Sequence, residues 1–227
     1  METETKKKIS EEVWKSQLRN QVIFSQPFSI PFEQEEMERV VELAVRKVVF
    51  DRKRTYVRKY QEQIKQAARW LTDPSMSGLY LCGVVGCGKT TLMNAISMVV
   101  HAYLSMPDTD PMTKDEFNFI GYTANKLSQM LADKTEIEHI RFLLSDTCIL
   151  GIDDLGTEPL EIMNYGNIVR PMVNLLSHRY EIRAKTVITS NLSPNQIEER
   201  YGLRLADRFR EEYIIASFPN GSFRVKS

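Results

Sequence analysis

Apolar residues recur at helical spacing in two stretches of the first third of the chain. Between residues 35 and 50, and again from 57 to 71, they fall on one stripe along each segment. A stripe of this kind is typical of an amphipathic helix with one face against a core. Asp73 and Pro74 close the second stretch, because the residue before a proline avoids the helical conformation. The pattern therefore predicts two helices ahead of residue 74.

Beyond residue 77, short apolar runs alternate with helical stripes. The apolar runs predict buried strands at 78–82, 117–122, 148–152, 185–189 and 213–218. The stripes predict helices at 91–101, 123–131, 135–144, 162–180, 194–201 and 203–211. The stretch 105–114, rich in Pro and Asp, is predicted to be a loop. Strands that alternate with helices favour a parallel sheet covered on both faces, so we expect a three-layer α/β fold around five parallel strands.

Composition narrows the class of protein. The apolar fraction of 42% across 227 residues is enough for a packed core, which excludes a disordered chain. The three cysteines include no C-x-x-C pair, so neither a disulfide framework nor a zinc finger is indicated. The polar first residues do not resemble a signal peptide, and no apolar run approaches the ~20 residues that span a bilayer. We expect a cytoplasmic protein with no membrane partner.

Charge is balanced overall but uneven along the chain. The formal net charge is zero, whereas residues 1–69 hold 15 Lys and Arg against 11 Asp and Glu. Two interpretations of this basic part are open: contact with DNA phosphates or an acidic partner, and solvated basic helix faces. Its densest tract contains Arg46, Lys47, Arg52, Lys53, Arg54, Arg58 and Lys59.

Residues 83–90 form a complete phosphate-binding motif, G-x-x-x-x-G-K-[ST]. Its glycines let successive N–H groups converge on a phosphate, where a β-carbon would obstruct the approach. The lysine brings a mobile positive charge to the outer phosphates, and the hydroxyl after it is a ligand for Mg²⁺. The predicted nucleotide-binding residues are Gly83, Val84, Val85, Gly86, Cys87, Gly88, Lys89, Thr90 and Thr91.

The surroundings of this loop agree with a phosphate site. The predicted strand at 78–82 precedes it, and a helical stripe follows from Thr91. The loop therefore leads into a helix N-terminus, whose dipole attracts a negative group. The competing interpretation is a glycine-rich turn without a ligand, which the strand and the helix disfavour.

An apolar strand at 149–152 ends in two adjacent carboxylates, Asp153 and Asp154, the arrangement known as Walker B. In a parallel sheet this tip lies at the carboxyl edge, beside the phosphate loop. Asp153 is predicted to hold Mg²⁺ through its water shell, and Asp154 to polarise the attacking water. The alternative is a strand that simply ends in a polar turn. Gly151, where a bulky residue would pack better, indicates close approach of another backbone.

Two further sets of polar residues bear on phosphoryl transfer. Asn191 ends a second apolar strand, and it either hydrogen-bonds the γ-phosphate and the attacking water or caps the helix that follows. A cluster of arginines near the end of the chain either compensates transition-state charge in a neighbouring subunit or forms a solvated face paired with nearby acids. The cluster contains Arg200, Arg204, Arg208 and Arg210.

Five motifs in a fixed order carry a family resemblance. They are the phosphate loop, Ile-Asp-Asp-Leu-Gly-Thr-Glu at 152–158, Thr-Ser-Asn at 189–191, Arg-Leu-Ala-Asp-Arg-Phe-Arg at 204–210 and Ser-Phe-Arg at 222–224. The set resembles the DnaC-like replicative-helicase loaders of the AAA+ superfamily, including their phage and mobile-element relatives. The resemblance covers about residues 55–227.

The resemblance implies roles for single residues. Asp153 is similar by position to the metal carboxylate, Asp154 to the catalytic acidic residue and Asn191 to the sensor 1 residue of that family. Arg208 is similar to the arginine finger that acts in a neighbouring subunit. Arg224 is similar to the sensor 2 arginine that reads the γ-phosphate in its own chain. The implied cofactors are ATP and Mg²⁺.

The resemblance also implies an activity and a division of the chain. Residues 55–227 are expected to form the AAA+ ATPase domain, and residues 1–54 a helical segment that docks a partner. The expected task is to load or remodel a replicative ring helicase on single-stranded DNA, as a homo-oligomer that forms at least transiently. Two alternatives remain: an IstB-like transposition-helper ATPase, and an adaptor that binds nucleotide with negligible hydrolysis. The short side chain of Asp154, where Glu is usual, keeps the adaptor open.

Overall fold

The computed structural model describes residues 27–56, 60–133, 136–164, 166–219 and 221–222. Its helices are α1 (Gln34–Asp51), α2 (Gln61–Thr72), α3 (Lys89–Leu104), α4 (Pro111–Glu116), α5 (Ala124–Asp133), α6 (Ile137–Leu143), α7 (Pro171–Glu181), α8 (Pro194–Tyr201) and α9 (Leu203–Glu212). Its strands are β1 (Gly78–Gly83), β2 (Asn118–Thr123), β3 (Cys148–Leu155), β4 (Ile162–Asn164), β5 (Asn167–Val169), β6 (Thr186–Ser190) and β7 (Tyr213–Phe218). Within these ranges, no helix combines the length and the apolar character that crossing a bilayer requires.

Five strands form one parallel sheet in the order β2-β3-β6-β1-β7. β1 pairs with β6 on one side and with β7 on the other, and β3 lies between β2 and β6. The strands β3, β6 and β1 are therefore neighbours, and their carboxyl ends meet at one edge. Ligands of open α/β sheets bind at this edge. The predicted α/β fold with a five-stranded parallel sheet is confirmed.

Helices cover both faces of the sheet, because alternate residues of each strand point to opposite sides. Leu79 and Leu81 of β1 face a core shared with α1, α2 and α3. Tyr80 and Cys82 face a second core shared with α5, α7, α8 and α9. The two cores hold β1 rigidly between them, so the loop that follows β1 starts from a fixed point.

The first helix of the described chain packs on the sheet's own helices. Met37, Val41 and Val45 of α1 are buried in the core that contains α2 and α3. Ahead of α1, the Ile30 N–H donates to the Leu71 carbonyl at 2.8 Å. The predicted division at residue 54 and the docking role of residues 1–54 stay predictions, and residues 1–26 lie outside the described residues.

The helix predicted at 162–180 is wrong in its first part. β4 and β5 form an antiparallel hairpin in which Met163 lies opposite Ile168. Gly166 has a φ of +80°, which a turn of this kind accommodates readily in glycine. The helix α7 begins only at Pro171, whose fixed φ suits the first helical turn. The apolar residues of the hairpin match helical spacing by accident. In so short a stretch, the two-residue period of a strand and the 3.6-residue period of a helix fit equally well.

The loop predicted at 105–114 gives way to a short helix at its end. α4 begins at Pro111, and the Asp110 carboxylate caps it by accepting a hydrogen bond from the Thr113 N–H at 3.2 Å. Aspartate before proline is a common signal for both turns and helix starts. The composition of the stretch therefore did not separate the two.

Gly151 in β3 makes room for a side chain, so the prediction of close backbone approach at this position is wrong. A β-carbon there would lie 3.0 Å from the Phe119 Cζ atom and 3.4 Å from the Met93 sulfur. The ring of Phe119, on the neighbouring strand β2, occupies the space that a larger residue would fill.

A buried lysine ties β6 to the turn between α2 and β1. Lys185 is 1% exposed, and its Nζ donates to the carbonyls of Trp70 at 2.6 Å, Met76 at 2.8 Å and Asp73 at 3.0 Å. Burial lowers the pKa of Lys185 to about 7, although the Asp73 carboxylate opposes this shift. The lysine lies at the amino end of the sheet, opposite the edge where the phosphate loop begins.

Candidate functional site

The phosphate loop at residues 83–88 joins β1 to α3 with a backbone that suits glycine. Gly86 and Gly88 have φ values of +82° and +106°, where other residues are strained. At Gly88 a β-carbon would also lie 2.3 Å from the hydroxyl oxygen of Tyr60, which is buried. The loop shape therefore depends on the glycines that the motif fixes.

The ammonium of Lys89 is held across this loop. Lys89 is 5% exposed, and its Nζ donates to Gly83 O at 2.8 Å and to Val84 O at 3.0 Å. A third hydrogen bond, at 2.9 Å, reaches the Asn191 Oδ1 atom at the tip of β6. These bonds satisfy the donors of the ammonium and place its positive charge at a defined point over the loop.

The hydroxyl of Thr90 and the carboxylate of Asp153 form an oxygen pair beside the loop. Thr90 Oγ1 donates to Asp153 Oδ1 at 2.9 Å. Hydroxyl and carboxylate oxygens are the ligands that Mg²⁺ prefers, and it usually takes few of them from protein and the rest from water and phosphates. Across the described residues, no group of three or more His, Cys, Asp or Glu could hold a metal ion. The donor chemistry of the Thr90–Asp153 pair fits Mg²⁺ and would leave its remaining positions to water and phosphate oxygens.

A β-bulge turns the second carboxylate toward the same side. The register of β3 on β6 shifts between residues 152 and 155, so that Asp153 and Asp154 both stand opposite Thr189. Asp154 has a φ of +57°, which is uncommon outside glycine. Successive residues of a regular strand point to opposite faces, whereas a bulge re-aims one of them. Asp154 consequently lines the cleft that contains Lys89.

One buried hydroxyl, that of Thr189, bonds to both aspartates. Thr189 Oγ1 accepts a hydrogen bond from the Asp154 N–H at 2.9 Å and donates to Asp153 Oδ1 at 2.5 Å. Its side chain is fully buried, so no water competes for these bonds. Thr189 therefore fixes the bulge and orients the first carboxylate. Sequence reasoning assigned it no role, although its place in the Thr-Ser-Asn run was a usable signal.

Asn191 follows β6 and does not cap the next helix. The Ser193 hydroxyl accepts from the Gln196 N–H at 3.4 Å, and the Gln196 side chain accepts from the Ser193 N–H at 2.8 Å. This capping box satisfies the start of α8 without Asn191. The helix-cap interpretation of Asn191 is therefore wrong, and its amide oxygen instead faces Lys89.

A buried carboxylate supports the loop after β3. Glu158 is 1% exposed, and it accepts hydrogen bonds from the Gly156 N–H at 2.8 Å and from the Tyr201 hydroxyl of α8. Burial, helped by the hydrogen bond to Glu158, raises the pKa of Tyr201, so this hydroxyl keeps its proton and donates it. Sequence reasoning quoted Glu158 within a motif and gave it no task.

One cleft of about 500 Å³ is lined by Lys89, Thr90, Asp154 and Asn191, and Thr90 is hydrogen-bonded to Asp153. A volume of this order is usual for a small-molecule site. A larger groove of about 1190 Å³ runs along the acidic side of α1 and contains none of the predicted site residues. The lining of the smaller cleft is Arg52, Arg54, Val85, Gly86, Gly88, Lys89, Thr90, Thr91, Asp154, Thr157 and Asn191. The two arginines were not among the predicted nucleotide-binding residues.

The arginines of α9 lie away from this cleft. Arg208 donates to Glu181 Oε1 at 2.9 Å, and its guanidinium lies 4.8 Å from the centre of the Tyr180 ring. Arg204 is exposed, and its side chain makes no hydrogen bond or salt bridge within the described ranges. Action of Arg208 in a neighbouring subunit stays a prediction. Arg224 lies outside the described residues, so its predicted role has no structural counterpart.

Comparisons with known proteins found likeness at the level of structure. No protein-family model matches the chain, and no curated protein matches its sequence. The crystal structure of the DnaC helicase loader aligns with a TM-score of 0.53 and 17% identity, over 77% of this chain and 98% of that one. The structure of DnaI aligns with a TM-score of 0.55 and 20% identity, over 79% of this chain and 93% of that one.

A third structure extends the comparison to an initiator. The replication initiator DnaA bound to AMPPCP and single-stranded DNA aligns with a TM-score of 0.50 and 15% identity, over 73% of this chain and 48% of that one. At these identities the three comparisons establish a shared α/β fold, a parallel sheet flanked by helices. The predicted resemblance to DnaC-like loaders is confirmed in this sense.

Proposed function

We propose that this protein is an AAA+ ATPase that binds ATP with Mg²⁺ and loads or remodels a replicative ring helicase on single-stranded DNA. One observation carries the proposal: hydrogen bonds run from Thr90 through Asp153 and Thr189 to Asp154. These bonds support the proposal because they join the phosphate loop to the Thr90–Asp153 oxygen pair and to the bulge that carries the second carboxylate. Phosphoryl transfer needs this combination of positioning and charge.

The residues of the cleft divide the work of hydrolysis. The N–H groups of the loop and of the first turn of α3 bind the phosphate chain, and Lys89 supplies positive charge to its outer phosphates. Thr90 and Asp153 would hold Mg²⁺, which when bound neutralises charge on the β- and γ-phosphate oxygens.

The second carboxylate and the amide at the tip of β6 act on the attacking water. Asp154 accepts a hydrogen bond from this water and raises its nucleophilicity. Asn191 donates to a γ-phosphate oxygen or to the water and so orients the attack. Thr189 does not touch the substrate; it is a positioning residue, because it holds the bulge that aims Asp154.

The charge that develops around the γ-phosphate in the transition state needs compensation close to it. Arg208 lies outside the lining of its own cleft, where the positive side chains are Lys89, Arg52 and Arg54. A guanidinium from a neighbouring copy, for which Arg208 is the candidate, would supply this compensation. The proposed ATPase is therefore a homo-oligomer at least while it turns over.

The fold comparisons support the role in replication. DnaC is named as a helicase loader, and the DnaA structure contains AMPPCP and single-stranded DNA. In the proposal, this chain likewise acts on a helicase and binds nucleotide and single-stranded DNA. Its N-terminal part docks the helicase.

Sedimentation with the host's replicative ring helicase tests this role. The full chain should co-sediment with the helicase in the presence of Mg²⁺ and AMPPCP, and Lys89→Ala should not. An IstB-like transposition helper would instead coat duplex DNA as filaments visible by electron microscopy. Filaments without helicase binding would replace the loader function by that alternative.

The adaptor alternative differs in turnover. An adaptor would bind ATP and leave it intact, with or without single-stranded DNA. The proposed ATPase should hydrolyse ATP slowly, and Asp154→Asn should reduce the rate by roughly 10²-fold, which is the scale of general-base contributions. ATP left intact by the wild-type chain would favour the adaptor, whereas a measurable rate that Asp154→Asn leaves unchanged would exclude Asp154 from the catalytic role.

A further inference from the structure

Two arginines from the end of α1 reach the phosphate cleft. Arg52 and Arg54 line it together with Lys89 and Thr90, although they lie far ahead of the loop in the sequence. The sequence-based interpretations of this basic tract were DNA, an acidic partner or a solvated helix face. None of these accounts for its position beside the phosphate loop.

The end of α1 fixes where these side chains go. The Lys53 N–H donates to Phe50 O at 2.8 Å, and the Arg54 N–H donates to Val49 O at 3.1 Å. With a φ of +53° at Lys53, this is a Schellman turn whose left-handed position holds lysine. Arg52 and Arg54, on either side of that position, line the cleft, whereas Lys53 does not.

Arg52 is anchored on the first turn of α3. Its Nη1 donates to Thr91 Oγ1 at 3.1 Å. A guanidinium carries five N–H donors, so this bond leaves others for an oxyanion. Arg52 and Arg54 are both exposed, which means that a ligand can reach them without any rearrangement of the core.

Charge favours a phosphate ligand at this place. Arg52 and Arg54 add two positive charges to that of Lys89, against the carboxylate of Asp154 in the same lining. The phosphate chain of a nucleotide carries several negative charges, and guanidinium groups match phosphate oxygens in geometry as well as in sign.

We propose that Arg52 and Arg54 belong to the nucleotide-binding site and contact the phosphate chain of a bound nucleoside di- or triphosphate. This inference rests on the proposed function of the cleft. Lys89 and Asn191 are hydrogen-bonded to each other and are proposed to act on the outer phosphate. Arg52 is instead anchored on Thr91, outside that pair. The two arginines therefore hold ADP and ATP alike.

The same contact links the nucleotide to α1. A ligand held by Arg52 and Arg54 also holds the turn that ends α1, because both side chains start from that turn. Nucleotide binding should therefore slow hydrogen exchange of the N–H groups of residues 52–54. This readout does not depend on hydrolysis or on a helicase.

The test measures dissociation constants of fluorescent ADP and ATP analogues for four full-length variants: Arg52→Gln, Arg54→Gln, the double variant and Lys53→Gln. Each single arginine variant should raise the dissociation constants of both the ADP and the ATP analogue by roughly tenfold, as expected for the loss of one hydrogen bond to a charged group. Lys53→Gln removes the same charge from the same turn and should stay within about twofold of wild type. Thermal melts of all four variants serve as the control for correct folding.

Several results would overturn the inference. Wild-type affinity in the double variant would do so, as would a loss for Lys53→Gln as large as for the arginines. Loss of single-stranded DNA affinity with full nucleotide affinity would reassign the tract to DNA. Suppose that wild type binds nucleotide, that Lys89→Ala does not, and that the double arginine variant binds as wild type does. The inference on the two arginines would then fail, and the proposed function would stand. Absence of nucleotide binding by wild type would remove the proposed function as well.

Discussion

Lys89 Nζ donates a hydrogen bond to Asn191 Oδ1 at 2.9 Å, so a single contact joins the phosphate loop to the tip of β6. The two residues follow neighbouring strands of the sheet: Lys89 begins α3 after the loop that leaves β1, and Asn191 comes directly after β6. Because β1 and β6 are packed between two cores, their carboxyl ends cannot move far apart. The bond therefore sets the distance between the positive charge of the loop and the amide proposed to sense the γ-phosphate.

Asn191→Ala should lower ATP turnover by about tenfold or more and leave ATP affinity within about threefold of wild type. The amide is proposed to orient the attack, while the loop N–H groups and Lys89 supply most of the binding. Asn195→Ala, which removes an exposed amide from α8, is the control. Steady-state hydrolysis and equilibrium binding give the two numbers. Equal turnover in the two variants would exclude Asn191 from catalysis.

Thr189→Val should reduce both turnover and stability. Valine has the shape of threonine without its hydroxyl, so the part-buried Asp154 N–H loses its acceptor and Asp153 loses a donor. The loss of stability should be about 1 kcal/mol, below the upper end of the 1–3 kcal/mol that a fully buried unpaired group costs. Thr189→Ser keeps the hydroxyl and should recover most of the turnover. If valine and serine gave the same rate, the hydroxyl would have no part in positioning the aspartates.

Arg208→Ala should keep ATP binding and lose the rise in turnover that accompanies self-association. Its guanidinium does not line its own cleft, so its contribution requires a neighbouring copy. Arg204→Ala, four residues earlier and exposed, is the matched control. The measurement is turnover per chain against protein concentration. A concentration dependence that survives Arg208→Ala and disappears in Arg204→Ala would move the role to Arg204.

Sequence reasoning predicted the elements that carry strong local signals. The strand before the phosphate loop and the helix after it follow from apolar period and glycine spacing, and both are confirmed. The segment at 162–169 contains few apolar residues, and their spacing fits a helix as well as the hairpin that the structure contains. Only the turn at Gly166 and the proline at position 171 distinguish the two, and both signals are weak on their own.

The parts of the site that sequence reasoning missed depend on contacts between distant segments. No local sequence pattern near Thr189 indicates that the register of β3 on β6 shifts by one residue. The reach of Arg52 to Thr91 depends on how α1 packs against α3, a tertiary relationship without local signal. Arg179 is a similar case: it is fully buried and donates to four carbonyls, which no pattern around it indicates.

Lys185 should make stability depend on pH. Burial lowers its pKa to about 7, against the usual 10.5 of a lysine in the unfolded chain. Between these values the unfolded chain binds more protons, so the free energy of unfolding rises with pH above about 7 and this contribution is lost as pH falls toward 7. Urea denaturation at pH 7, 8 and 9 measures it.

Lys185→Met is the comparison for that series. It should be less stable than wild type throughout, since carbonyls of the turn between α2 and β1 lose the hydrogen bonds that Lys185 donates, and its stability should rise less between pH 7 and 9. Parallel curves for the two proteins would show that Lys185 keeps the same protonation in the folded and unfolded states.

Lys53→Gly should stabilise the protein. Lysine at this position adopts a φ of +53°, and the left-handed conformation costs a residue with a β-carbon roughly 1 kcal/mol. Glycine avoids this cost, so the free energy of unfolding should rise by about 0.5–1 kcal/mol. Lys53→Ala keeps a β-carbon and should change little. An alanine variant as stable as the glycine variant would show that the turn is not strained.

Calorimetric titration of ATP with Mg²⁺ into the full chain tests the central claim most directly. The account predicts saturable binding by wild type with one nucleotide per chain, and a loss of affinity of at least about tenfold in Lys89→Ala, since the loop then lacks its charge for the outer phosphates. Absence of binding to wild type, or equal affinity in Lys89→Ala, would contradict it.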